Sequence, residues 1–555
     1  MFNRNKKRKT ELYPDEIFLD DSNLPDFNKH QLEGQLERPI KKSAIWSLAV
    51  IFLVVGGVFI ARAAILQVAQ GANFASISQN NTLRQTPVLA ERGIIYDRNG
   101  VELAWNDSGR QYIETPGLGQ VLGYIGYPSE DALAQKDYAE KEMIGIHGAE
   151  ESFDKQLSGK TGLQIEEVDA KGDVASKHIL EEPQSGESIH LAIDSRLQTK
   201  MYSLIESLAK DHGYKGGAGI ILDLQTGETP VLVSYPEYDP NVLVSKRDNQ
   251  KISAYLKDPG TPFLNRAING LYTPGSVFKP LMAVGALTEH IISPNKVLYT
   301  TGSISIPNPY DPKQKTVFKD WKNHGAVDMR HAISVSSDVY FYTIGGGFGG
   351  QAGMGIANID KYAKLFGLGS MTGINLGSEA IGQISTPEWK AKNYPNDKQW
   401  RIGNTYHTVI GQYGTQVTPI QMLRAIGGVA TGYLIQPTIL KTATSTPSAN
   451  KIDLHLDPSV LEVVHEGMHL ASTEGTAKGL NMPDVPMGAK TGTAELGASK
   501  AHINSWVTGF FPYDKPHYAF IVVMQEGPVA NTLGGVYIMR QFFDWVRIYA
   551  PEYLK

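Results

Sequence analysis

The sequence predicts an α/β fold: one antiparallel sheet with helices packed on both faces, preceded by a membrane anchor and a small β-rich domain. Three observations lead there. Strand-like segments open and close the C-terminal two thirds of the chain: "AGIILDL" and "TPVLVSY" at the start, "KTGTAEL", "SWVTGFF" and "YAFIVVMQE" at the end. Their β-branched and aromatic runs are bounded by turn residues. Segments of helical apolar spacing fill the middle, and "VYIMRQFFDWVRIY" ends the chain in the same pattern. First and last strands thus bracket the helices, as in a layered α/β domain. Ahead of all this, "SAIWSLAVIFLVVGGVFIA" (43–61) carries no charge.

In chain order, residues 1–42 mix basic and acidic clusters with few apolar residues, the composition of a disordered tail. The run 43–68 is long enough, at ~1.5 Å per residue, to cross a ~30 Å hydrocarbon core, with Arg62 snorkelling to one interface. Arg38, Lys41 and Lys42 flank it, so the positive-inside rule puts residues 1–42 in the cytoplasm and the rest outside. "ARA" at 61–63 resembles a signal-peptide cleavage site. The run is long for such a peptide, and about 40 mainly polar residues precede it, which favours an uncleaved anchor. Residues 69–185 hold short elements: "TPVLAERGIIYDRNGVELA" reads as two strands around an Asn99-Gly100 turn. "GESIHLAIDSRLQTKMYSLIESLAK" gives a strand and an amphipathic helix, so the large domain is taken as 186–555. The net charge of −5 points to no nucleic acid, and the absence of cysteine excludes disulfides, thiolate metal sites and a Cys nucleophile.

"LYTPGSVFKPLM" (271–282) sets Ser276 after a Pro-Gly turn, with Lys279 three residues on at the start of a helical pattern. An amine on the same face could take the proton of that hydroxyl. Ser-x-x-Lys alone is a cheap pattern; Ser152/Lys155, Ser293/Lys296 and Ser448/Lys451 repeat it. Acyl transfer needs more: a neutral base, a path returning the proton to the leaving group, and donors for the oxyanion. Lys279 can be that base only if burial or a second cation lowers its pKa. "VSSDVYFY" offers Ser336 to pass a proton and Asp338 to orient Lys279 or a substrate amide; the same residues would also serve as a helix N-cap. "AKTGTAEL" offers Lys490, Thr491, Gly492 and Thr493 on a strand, where Gly492 marks close backbone approach and Lys490 and Thr491 could meet a carboxylate. Lys160-Thr161-Gly162 repeats that triplet elsewhere.

The order Ser-x-x-Lys, Ser-x-Asp, Lys-Thr-Gly at 276, 336 and 490 resembles the penicillin-recognising serine transferases (the β-lactamase-like fold). Surrounding stretches narrow the resemblance to class B penicillin-binding proteins: "RGIIYDRNG" (92–100) and "GIHGAEESFDKQLSGKTG" (145–162) look like pedestal motifs, followed by "LAIDSRLQ", "YPEYDPN", "NRAINGLYTPGSVFK", "IGQYGTQVTPIQ" and "EGTA". "SSDVYFY" looks more like the elongation branch than the division branch. The resemblance implies a peptidoglycan D,D-transpeptidase, sensitive to β-lactams, that needs no cofactor. Ser276 would attack the penultimate D-Ala of a stem peptide, and an acceptor amine would resolve the acyl-enzyme. It implies Lys279 as base, Ser336 as proton shuttle, Lys490 as electrostatic partner, and Thr491 and Thr493 as carboxylate contacts. Backbone N–H groups of Ser276 and Thr493 would form the oxyanion hole. A SEDS-family, RodA-like membrane glycosyltransferase is the implied partner. Two departures stand out: Tyr413 occupies a position that is usually Gly, and only about 22 residues separate "DRNG" from "GYIGYPSEDA", where a head subdomain is normally inserted.

A rival pattern is His465-Glu466-x-x-His469, the zinc-protease arrangement of two ligands one turn apart beside a general base. "GGGFGGQAGMG" (345–355) lacks a phosphate-loop frame and reads as a flexible loop.

Overall fold

The computed structural model describes residues 41–75, 83–128, 143–168, 174–245, 248–308, 310–311, 313–442, 450–497 and 499–554. Most of the expected N-terminal tail, Ser448 and part of the short stretch after "GYIGYP" lie outside them. The chain divides into two units. One holds the chain up to Gln85 with Ile165–His178; the other holds Thr86–Gln164 and Ile179–Lys555.

In the first unit, an α-helix over Lys42–Ala64 continues as a π-helical turn over Ile65–Ala69. None of its residues is buried, and its apolar side chains point outward all round. Among the described residues it is the one helix long and apolar enough to cross a membrane. It fits a single-pass anchor.

The second unit is built on a five-stranded antiparallel sheet. Its strands run in the order Val231–Tyr235, Gly216–Asp223, Tyr518–Pro528, His502–Phe511, Gly488–Leu496. The two-residue period of the strands divides two cores. From Tyr518–Pro528, Phe520, Val522 and Met524 join the helices Ser195–His212 and Gly535–Tyr549 on one face. Ala519, Ile521 and Val523 meet the helix Pro419–Thr431 on the other, together with the helix Lys279–Thr288. The sheet with helices on both faces is therefore the observed fold. The edge strand Gly488–Leu496 packs against the turn Gly275–Phe278.

A buried ion cluster ties "RGIIYDRNG" to "GIHGAEESFDK". Glu150 is fully buried and accepts from Arg92 Nε at 2.5 Å, Arg110 Nε at 2.7 Å and the Tyr112 hydroxyl at 3.1 Å. Asp154 accepts from Arg92 and from the Gly145 N–H. The Asp97 carboxylate folds the Asn99-Gly100 turn by accepting from the N–H groups of Asn99 and Val101, and also accepts from Ser195 Oγ at 2.8 Å. Asn99 in turn donates to Asp194, the N-cap of the helix Ser195–His212. These motifs thus dock onto the sheet-bearing part of the same unit. The second Lys-Thr-Gly belongs here: Lys160 pairs with Gln184 through backbone hydrogen bonds.

"GGGFGGQAGMG" departs from expectation. Gly345 and Gly346 end the helix Asp338–Gly346, and Phe348 and Gln351 close a hydrogen-bonded turn. Gln351 also donates to the Ile291 carbonyl, so the segment is a tied turn, not a flexible loop.

Two predictions follow from this packing. Glu150→Gln leaves the buried Arg110 guanidinium without its counter-charge, while Arg92 keeps Asp154, and should lower stability by about 3–5 kcal/mol, measurable by denaturant unfolding; a loss within experimental error would contradict the role given to the cluster. Glu237 accepts from the N–H groups of Gly117 and Gly119 at 2.5 and 2.8 Å. Burial nevertheless pushes its carboxyl up to about 7 from an ordinary 4.5. The folded chain then keeps a proton that the unfolded chain has lost, so this group's contribution is complete below the ordinary value and is lost as pH rises through 7. Melting temperatures of the wild type should therefore fall relative to Glu237→Gln between pH 5 and 8, and a pH-independent difference would refute it.

Candidate active site

Ser276 lies in a 3₁₀ turn, Gly275–Phe278, that runs into the α-helix Lys279–Thr288. In a 3₁₀ turn residues i and i+3 eclipse, so Ser276 and Lys279 share a face. Pro280 is in the first turn of the α-helix, where a missing N–H is harmless. Ser276 is half-buried, whereas Lys279 is wholly buried.

Lys279 Nζ donates to Asp338 Oδ1 at 2.6 Å and to the Ser336 carbonyl at 2.7 Å, and lies 3.3 Å from Ser336 Oγ. From the opposite side Lys490 Nζ, also wholly buried, donates to Ser336 Oγ at 2.8 Å and to the Thr491 carbonyl at 2.8 Å. One hydroxyl thus stands between two lysines. Burial holds the Lys490 amine well below its ordinary range; the positive charge of Lys279 pushes the same way, and Asp338 opposes it.

Ser336 is held at φ +57°, in the left-handed region that side-chain-bearing residues seldom adopt. The helix N-cap is its neighbour: Ser337 accepts from the Tyr340 N–H and donates to Asp320 Oδ2 at 2.8 Å. The same Asp320 oxygen accepts from the Val339 N–H at 3.0 Å. The Asp320 side chain is fully buried. Sequence reasoning missed Asp320, because a loop aspartate ahead of a tryptophan carries no pattern of its own.

Lys490 to Thr493 lie on the edge strand Gly488–Leu496. A Cβ on Gly492 would come within 2.9 Å of the Pro274 carbonyl and 3.1 Å of the Val277 nitrogen. Gly275, at φ +58°, would likewise meet the Thr493 carbonyl. These two glycines let the strand and the Ser276 turn touch. Thr491 is half-buried and Thr493 exposed. Trp506, on the next strand, donates to the Thr273 carbonyl and pins the approach to the turn.

The "IGQYG" loop also reaches the turn. The Gly275 N–H donates to Gly411, whose φ of +72° and whose 2.4 Å approach of any added Cβ to the Gly275 carbonyl admit only glycine. Tyr413 sits at φ +60°, which is the reason a glycine suits that position. Here its ring is held by Trp389, Tyr394 and Trp400, packing that offsets an unfavourable backbone of order 1–3 kcal/mol.

The remaining candidates separate from this centre. Ser152 Oγ donates to the Gly148 carbonyl, and Lys296 bonds Gln351. His465 Nε2 donates to the Val429 carbonyl at 2.8 Å and His469 Nδ1 to the Met487 carbonyl at 3.0 Å, while Glu466 pairs with Arg330. The three do not converge on a common point. Among the described residues no cluster of three His, Cys, Asp or Glu side chains is arranged to hold a metal ion.

Comparison with known proteins places the chain in a family. Residues 217–538 match the penicillin binding protein transpeptidase domain, and residues 105–191 match the penicillin-binding protein dimerisation domain. The peptidoglycan D,D-transpeptidase MrdA of Escherichia coli is 27% identical over 92% of this chain and 94% of its own. The peptidoglycan D,D-transpeptidase FtsI of the same organism is also 27% identical, but over 74% of this chain and 64% of its own. Penicillin-binding protein 2 (PBP2) of Helicobacter pylori, solved in complex with MreC, superposes with a TM-score of 0.71 at 25% identity, covering 84% of this chain and 98% of that one. The matched transpeptidase span contains Ser276, Lys279, Ser336, Asp338 and Lys490, and this chain belongs to the class B penicillin-binding proteins as an elongation-type peptidoglycan D,D-transpeptidase.

Proposed function

We propose that Ser276 is the nucleophile of the transpeptidase, that Lys279 and Ser336 carry its proton, and that Lys490 is their electrostatic partner. The observation that supports this most directly is the single Ser336 hydroxyl within hydrogen-bonding reach of two buried lysines. Ser276 Oγ attacks the carbonyl carbon of the penultimate D-Ala, with Lys279 as the base that takes its proton. The carbonyl electrons move onto oxygen, where the N–H groups of Ser276 and Thr493 would stabilise them. Collapse breaks the C–N bond, and the leaving D-Ala amine takes a proton through Ser336. An acceptor amine then attacks the ester, forms the crosslinking amide and returns the proton to Ser276. Lys490 acts electrostatically at Ser336, Asp338 orients Lys279, and Thr491 and Thr493 hold the substrate carboxylate, with Gly492 leaving room for a substrate strand along the free edge. A β-lactam follows the same first step, its ring opening in place of D-Ala departure.

In the same reading residues 1–42 are cytoplasmic, 43–68 form the anchor, 69–185 form the pedestal with a shortened head, and 186–555 form the extracytoplasmic catalytic domain. The flanking lysines and arginines support that orientation. The partner is a SEDS-family, RodA-like glycosyltransferase. The relative from H. pylori has been solved with MreC, and a protein of that kind would engage the pedestal here.

Benzylpenicillin should add one acyl group, and mass mapping should find it on Ser276. An adduct on Ser152 or Ser293, or none, would refute the assignment. Lys279→Arg keeps a cation but cannot accept a proton, so acylation should fall at least about a thousandfold with the melting temperature little changed. Acylation by that variant at the wild-type rate would remove Lys279 from the role of base.

A further inference from the structure

Thr476, in the "EGTA" stretch, joins two of the three segments of the site. Its backbone N–H donates to the Ser334 carbonyl at 3.1 Å, two residues before Ser336. Its hydroxyl accepts from Thr491 Oγ1 at 2.7 Å and reaches the same Ser334 carbonyl only at 3.4 Å. Gly475 presses this turn onto Ser334: an added Cβ would stand 2.3 Å from the Ser334 carbonyl oxygen and 2.5 Å from its Oγ. Thr476 therefore cannot withdraw from Thr491 without moving the segment that carries Ser336.

A threonine hydroxyl has one hydrogen to donate. In the free enzyme that of Thr491 is committed to Thr476. To bind an anion it must turn away, and its oxygen then needs a new donor. We propose that Thr476 is a positioning residue that supplies it, reversing its own hydroxyl so that Thr476 donates to Thr491 and Thr491 donates to the substrate carboxylate. The reversal gives up little, because the hydroxyl's bond to Ser334 is at the long limit for an O–H donor and the Thr476 N–H still serves that carbonyl. It also gains, since a hydroxyl that accepts one bond donates a stronger one, and a bond to a charged acceptor is the stronger kind. Lys490 holds the Thr491 carbonyl at 2.8 Å, so the strand stays in register while the two hydrogens turn. The inference rests on the reading above that Thr491 contacts the carboxylate.

The test compares acylation rate constants of the full-length protein by benzylpenicillin and by its methyl ester, which lacks the anion. The acid-to-ester ratio does not depend on how much of a variant is folded. Thr491→Val should collapse the ratio. Thr476→Val should lower it about fivefold to tenfold, the loss of one hydrogen bond, and Thr476→Ser, which restores the hydroxyl, should return it to the wild-type value. If Thr491→Val collapses the ratio and Thr476→Val leaves it unchanged, or slows both probes equally, the role given to Thr476 is wrong and the carboxylate contact stands. If neither variant alters the ratio, the contact at Thr491 is wrong and the proposal falls with it.

Discussion

Two buried amines share one hydroxyl, and most of the catalytic half of this protein is an arrangement that makes this possible. Lys279 and Lys490 are both without solvent exposure and meet at Ser336 Oγ from opposite sides. Like charges so placed disfavour each other, and burial disfavours both. The Asp338 carboxylate supplies one counter-charge at 2.6 Å from Lys279. Burial, with the nearby charge of Lys279, pushes the Lys490 amine toward its neutral form. A wet or open site would lose this property, because water would restore the charge on Lys490.

Such a centre requires three pieces of chain to meet within a few ångströms. The helix-start turn brings Ser276 and Lys279. The left-handed Ser336, fastened through Ser337 and Val339 to Asp320, brings the hydroxyl. The edge strand brings Lys490. Their approach depends on the absence of side chains at Gly275, Gly492 and Gly411, where a single methyl group would collide with backbone. The strand lies at the edge of the five-stranded sheet, so on that side no sheet neighbour among the described residues takes its backbone groups.

The same logic of buried charge holds the N-terminal motifs, with a structural outcome. Arg92 and Arg110 are matched there by Glu150 and Asp154, two guanidinium groups against two carboxylates. Asp97 and Asp194 extend the network to the helix beginning at Ser195 and, through the Tyr553 hydroxyl, to the C-terminal end. Pairing opposite charges gives rigidity in one region; crowding like charges around a hydroxyl gives reactivity in the other.

Local pattern and motif order determined a great deal. Alternating β-branched runs marked all five sheet strands, helical spacing marked the flanking helices, and the uncharged run at 43–61 marked the anchor, because these features express how each segment meets water or lipid. Ser276, Lys279, Ser336, Asp338 and Lys490 were picked out by the order of their motifs, since single triplets recur, as Lys160-Thr161-Gly162 and Ser152/Lys155 show; the structure brings Lys279, Ser336, Asp338 and Lys490 into one hydrogen-bonded group, and their catalytic roles are the proposal above. Only the tertiary structure decided that Lys490 is wholly buried beside Ser336, that Ser337 caps the helix while Ser336 takes the strained backbone, and that Asp320 and Thr476 reach the site from segments 16 and 140 residues away from Ser336. Electrostatic environment and long-range hydrogen bonds belong to the packed chain: they depend on which groups lose their water together, and neighbouring letters in a sequence do not record that.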